Sequence, residues 1–143
     1  MMTAKYTIDT HLKHLKETIK QAERYKKMVD RQRFLTDKIA QDAICRNLQI
    51  IIEASLTIGE MIIAKNDLEK PEGNDDIFDI LAQGKIYPKK FSEQLWGVGG
   101  FRNVLVHNYV KLDLDLVYDN LEKGIPTFKK YAQYIAKHLN KKK

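Results

Sequence analysis

Apolar residues at Ile8, Leu12, Leu15, Ile19 and Ala22 step by four, three, four and three, which is the spacing of one helix face. Met28 and Val29 extend the stripe, and Thr7 or Asp9 is placed to cap it. A longer pattern follows over about residues 34–65. Leu35, Ile39, Ala43, Leu48, Ile51, Ala54, Ile58 and Ile62 form its inner face, and Ile44, Ile50, Ile52, Met61 and Ile63 broaden it. A helix apolar over much of its circumference packs against more than one neighbour, so part of this surface is a candidate subunit interface. Residues 66–74, with Pro71 and Gly73, read as a loop.

A short helix is expected next, capped by Asn74 or Asp75, carrying Ile77, Phe78, Ile80 and Leu81, and ended by Gly84. Tyr87-Pro88 opens a fourth helix with proline in its first turn. Phe91, Leu95, Val98 and Leu105 line it, and Gly97, Gly99 and Gly100 fall in its middle, which suggests close approach of another backbone. The last helix starts near Asp113 or Asp115. Val117, Leu121, Ile125, Phe128, Ala132, Ile135 and Leu139 keep helical period, and Pro126 inside it predicts a kink or break. Short connections between four to five amphipathic helices predict an all-α fold, an up-and-down antiparallel helical bundle.

Composition narrows the class. The 143 residues suit a single domain spanning 1–143. The formal net charge of +6 is compatible with nucleic acid, an acidic partner protein or plain solubility. A lone Cys45 excludes an internal disulfide framework and reads as a small core residue. No apolar signal core opens the chain and no apolar run approaches membrane-spanning length, so a soluble cytoplasmic protein with no membrane contact is expected. His11 and His14 lie beside the first stripe without a metal-site pattern, and no metal or cofactor is expected. Lys141-Lys142-Lys143 reads as a short basic tail.

The chemistry concentrates in the stretch from Gly99 to Tyr109. Arg102, Asn103, His107, Asn108 and Tyr109 stand among Phe101, Val104, Leu105 and Val106. Arginine offers a fork of donors that matches a phosphate, and histidine exchanges protons near neutral pH. Asn103 and His107, four apart, share a helix face, whereas Arg102 and His107 are separated by roughly 140°. They converge only if Arg102 reaches round or the helix ends near His107. Asp42, Arg46 and Glu53 interrupt the apolar face of the second helix. They are either a solvated stripe with an Asp42–Arg46 helix pair or a second charged wall facing the Arg102–His107 region. A glycine-rich phosphate loop is excluded, because no strand precedes the glycines and no Lys-Ser/Thr follows them.

Arg102-Asn103-Val104-Leu105-Val106-His107-Asn108-Tyr109 resembles the R-x-x-x-x-H-x-Y signature of HepT-like toxins of the HEPN superfamily. The segment from Asp42 to Glu53, Tyr87-Pro88 and the Asp-rich entry to the last helix resemble the same family, so the likeness extends over most of the chain from about Phe34. Asn108, where the family often has glycine, and the Gly124/Pro126 interruption depart from it. The resemblance implies a HEPN-like bundle that dimerises and a metal-independent endoribonuclease acting on RNA such as tRNA or mRNA. It implies Arg102 and His107 as catalytic residues, with Asn103 supporting them. It also implies a type VII toxin–antitoxin system, whose MntA-like nucleotidyltransferase antitoxin silences the toxin by AMPylation of the motif tyrosine, here Tyr109. Cleavage wants both a base and an acid, and a two-fold cleft supplies the second histidine. The competing expectation is a non-catalytic helical module that binds nucleotide or a partner protein.

Overall fold

The computed structural model describes residues 7–107 and 112–141. Among them the chain forms helices α1 (Ile8–Met28), α2 (Arg31–Thr36), α3 (Lys38–Lys65), α4 (Asn74–Gln83), α5 (Lys89–Ser92), α6 (Val98–His107) and α7 (Leu114–Lys141), with a 3-10 turn at Glu93–Leu95. The all-α bundle is as the periodicity predicts, with α3 at its centre packed against α1, α2, α4, α6 and α7.

The α1 stripe is buried from Ile8 to Ala22, and the Thr7 hydroxyl accepts the Thr10 N–H at 3.2 Å. The long second helix differs from expectation. It is preceded by a separate turn, α2, because two aspartates cap in quick succession. Asp30 accepts the Arg33 N–H at 2.8 Å, and Asp37 accepts the Ala40 N–H at 3.2 Å. A side chain that takes a backbone donor competes with the helix passing through it. The break turns Leu35 and Ile39 outward, Ile39 to 82% exposure, so neither belongs to the inner face. That face is Ala40, Ile44, Leu48, Ile51, Ile58 and Ile62, with Ile52 and Ile63 buried beside them. By length and composition α3 could cross a membrane, with a mean hydropathy of 1.3 over its most apolar stretch, contrary to the expectation that no run approaches that length. Its burial by five neighbouring helices accounts for that composition.

Helix α4 is capped by Gly73 rather than Asn74 or Asp75. It crosses α3 tightly at Gly59, where an added Cβ would meet Ile77 Cγ2 at 2.5 Å. The expected fourth helix is three pieces, α5, the 3-10 turn and α6, because Gly97 adopts φ +86°, a left-handed value that favours glycine. Conversely, α7 runs unbroken through Gly124 and Pro126. Pro126 and Glu122 are both exposed, so the carbonyl deprived of its N–H partner faces water.

The first turns of α7 are tied to α2 by one cation. Arg31 reaches Asp115 at 3.1 Å, Asp119 at 2.6 Å and Glu122 at 2.9 Å, and lies 4.9 Å from the centre of the Tyr118 ring. The Tyr118 hydroxyl donates to the Val29 carbonyl at 2.7 Å. On the other side of the core the Tyr131 hydroxyl donates to the Ser55 carbonyl at 2.8 Å. The Tyr118 bond ties α7 to the end of α1 and the Tyr131 bond ties it to α3, which α6 also packs against.

Candidate active site

Helix α6 carries the motif, and its attachment to the bundle is slight. Gly99 is its one buried residue, with Phe101 and Leu105 partly buried. Gly99 lies where a Cβ would run into the Asp75 carboxylate in the first turn of α4. The close approach expected of another backbone is made at Gly99 by side chains, Asp75 and Asn74. Gly97 serves the chain reversal instead, and Gly100 faces open space.

Arg102 turns from α6 toward α3. Its Nε and Nη2 donate to the same Glu53 oxygen, Oε2, at 3.2 and 2.8 Å. Gln49 Nε2 donates to that oxygen at 3.3 Å from one turn earlier on α3. The guanidinium is thus gripped along its side, with Nη1 3.5 Å from Asn103 Oδ1. A guanidinium has five N–H donors in a planar fork, so its end-on Nη pair remains available to an anion. Arg102 is 28% exposed and Glu53 36%, which leaves the pair wet on its outer side.

Asn103 and His107 are both exposed, as their four-residue spacing requires. His107 is the last residue of α6 as described, about 7.5 Å along the axis from Arg102 by helical rise. Arg102 turns toward α3 while Asn103 and His107 are exposed, so the arginine and the imidazole diverge on α6 as their spacing anticipates. Tyr109, Asn108 and the expected non-helical exit through residues 110–111 lie outside the described residues.

The remaining charged candidates separate. Glu53 touches Arg102. Asp42 pairs with Lys38 at 3.1 Å rather than with Arg46. Arg46 is exposed and lines a groove against α1 with His14, Glu17 and Gln21. Asn47 is 5% exposed and donates to the Thr18 carbonyl at 3.1 Å, a bond that joins α3 to α1. Gln49 is the contact that sequence reasoning missed; its place four residues before Glu53 was the available signal.

Burial, then the Asp42 charge, push the Cys45 thiol up to about 11. Among the described residues no group of three or more His, Cys, Asp or Glu is placed to hold a metal ion. The assembled groups are a positioned cation, an amide and an exposed imidazole, a set that can bind a phosphate and move a proton beside it.

A family model described as Ribonuclease HepT-like matches residues 15–135. The mRNA nuclease HepT of Shewanella oneidensis is 31% identical over 106 residues, covering 74% of this chain and 80% of that protein. The tRNA nuclease HepT of Aphanizomenon flos-aquae is 28% identical over 94 residues, covering 66% and 64% respectively. Among solved structures, the tri-AMPylated Shewanella oneidensis HEPN toxin in complex with MNT antitoxin superposes with a TM-score of 0.80 at 29% identity, over 90% of this chain and 96% of that one.

Proposed function

Because the chain belongs to the HepT-like ribonuclease family, we propose that it is the endoribonuclease toxin of a toxin–antitoxin pair, cleaving RNA without a metal ion. The observation that carries this reading is Arg102 gripped side-on by Glu53, with its end-on donors open and His107 exposed on the same helix. Relatives that act on mRNA and on tRNA support RNA as the substrate class.

In the proposed reaction His107 takes the proton of a ribose 2′-OH, and the resulting oxygen attacks the adjacent phosphorus. Arg102 holds the phosphate and stabilises the charge that develops on it. Asn103 orients the phosphate or the imidazole. The leaving 5′-oxygen needs a proton, and one motif supplies one imidazole. A homodimer that brings a second His107 to a shared cleft meets that need. The products are a 2′,3′-cyclic phosphate and a 5′-hydroxyl.

The proposed regulation is AMPylation of Tyr109 by an MntA-like antitoxin, supported by the AMPylated relative found with its MNT antitoxin. Tyr109 is two residues from His107, so an attached AMP sets a phosphodiester where substrate would place its own. The proposed place of action is the cytoplasm, where RNA and an antitoxin would both be met.

The test is incubation of the purified protein with total RNA in chelator, beside His107→Ala and Arg102→Ala. Cyclic phosphate ends that disappear in both variants support the mechanism. Chelator-sensitive cleavage or 3′-hydroxyl ends overturn it. Tyr109→Phe should keep cleavage while escaping antitoxin and ATP; AMP found on another residue refutes the regulatory part.

A further inference from the structure

The geometry points to a second anion-binding surface, remote from Arg102 and His107, that holds the phosphate backbone of an RNA strand. It is a groove of about 410 Å³ between the α4–α5 corner and the last turns of α7. Lys85, Lys89, Lys137 and Lys141 line it over Tyr87 and Tyr134, and no carboxylate does. All four lysines are exposed, and none pairs with a carboxylate among the described residues.

Two features set this groove apart from a merely solvated lysine cluster. The first is its floor. The Tyr134 ring is only partly buried, 5.7 Å from the Tyr87 ring and 5.0 Å from Phe91, with Lys130 5.8 Å over its face. Tyr134 thus adds a partly exposed aromatic ring to a row of cations, the pairing that single-stranded nucleic-acid grooves use, which favours RNA over an acidic protein.

The second feature is Lys85. Helix α4 ends with Ile86 N–H donating to the Leu81 carbonyl and Lys85 N–H to the Ala82 carbonyl, both at 3.0 Å. This bond pattern puts its central residue in a left-handed conformation that glycine usually occupies. Here it is lysine, at φ +65°. A side chain there is a steric cost to the fold, and Lys85 is exposed rather than part of the core.

The groove is remote from the motif. Gly99 at the start of α6 abuts Asp75 in the first turn of α4, whereas Lys85 lies ten residues further along, about 15 Å by helical rise. RNA reaching both places must extend around the bundle, so the groove selects for strand length rather than for the cleaved bond. That role rests on the ribonuclease reading above.

The test uses the full chain and a labelled, fully 2′-O-methylated oligoribonucleotide of about 20 nucleotides, longer than the 4–16 or so that one groove covers. The probe has no 2′-OH nucleophile, so binding is read whether or not the protein cleaves. Lys137→Gln/Lys141→Gln should lower affinity severalfold and flatten the slope of log K against log salt by about 1.4, at roughly 0.7 per lost single-strand contact. Lys85→Gly should bind more weakly than wild type yet melt at a higher temperature. Unchanged affinity and slope in these variants overturn the proposal. So does a loss confined to binding of the cognate antitoxin, which would assign the groove to an acidic protein. Wild type that binds through these lysines but cuts no RNA would sink the ribonuclease reading and leave this groove standing.

Discussion

Glu53→Gln tests whether the grip on Arg102 serves chemistry or only the fold. Gln keeps the size of the side chain and one acceptor oxygen, and removes the charge. The pair is exposed on one side, 28% for Arg102 and 36% for Glu53. Ion pairs of that kind contribute about 0.2–1 kcal/mol, and Gln keeps part of the hydrogen bonding. A loss of roughly 0.5 kcal/mol corresponds to a melting temperature lower by about 1–3 °C at this chain length.

The kinetic effects should be larger, with both constants falling. Freeing the guanidinium returns up to about 2 kcal/mol of side-chain entropy, a ceiling near thirtyfold at 1.4 kcal/mol per decade. With the residual bond from Gln, kcat should fall about tenfold. The lost carboxylate also stops repelling the substrate phosphate. Two unit charges about 6 Å apart at the protein surface repel by roughly 0.7–3 kcal/mol, and salt brings this toward the low end. KM should therefore fall about threefold. Steady-state cleavage of a labelled RNA, with a melt of each protein, reads all three quantities. Unchanged kcat and KM would refute the positioning role. A melting temperature lower by more than about 10 °C would show that Glu53 holds the fold and that the kinetics say nothing about Arg102.

Three further outcomes follow from the packing. Gly59→Ala should destabilise by about 1–2 kcal/mol net of helix propensity, because its Cβ meets Ile77, Leu81 and Tyr131 inside the core; a melt equal to wild type would contradict that crossing. Asp37 is held below the ordinary carboxylate range by the Ala40 N–H and then by Arg33, so its stabilisation is full above the unfolded value near 4 and is lost as pH falls through the lowered native one. The gap in melting temperature between wild type and Asp37→Ala should close over that acid range, and a gap independent of pH would exclude the ionised cap. Cys45, with its thiol raised to about 11, should alkylate roughly 10²-fold more slowly at pH 8 than a free cysteine; an equal rate would mean the thiol is not buried as the helix packing has it.

The helices were legible where the apolar period was long. The stripe from Ile8 to Ala22 and the run from Val117 to Ile135 are buried as the spacing requires. The errors arose where local side-chain chemistry overrode the period. Asp37 takes a backbone donor and detaches α2, although nothing in the alternation of Leu35 and Ile39 announces a break. Gly97 divides the fourth helix through a dihedral angle that composition does not reveal. Pro126 was read by its missing N–H alone, whereas its exposure decides the outcome. The tight crossing at Gly59 passed unnoticed because one glycine in an apolar helix looks like any other small residue. At the site, the motif spacing placed Asn103 with His107 and warned that Arg102 points elsewhere. The partner of Arg102 could not be read from α6, since Glu53 lies 49 residues earlier and only the antiparallel fit of α6 on α3 joins them.

That fit also bears on why the motif lies on the least buried helix. Stability in a bundle follows buried apolar area, and α6 contributes one buried residue, a glycine without a side chain. The helix is held instead by polar and partial contacts, Arg102 on Glu53 and half-covered Phe101 and Leu105. Segments with few buried contacts open at lower free energy than the core. Val104 of α6, with Trp96 and Leu116 beside it, leaves exposed apolar surface around one groove. A second copy laid across that groove, as the proposed dimer would lay it, would add the burial that α6 lacks. The proposed reaction asks for a second imidazole and the packing of α6 for more buried surface, and the first of these demands rests on the ribonuclease reading.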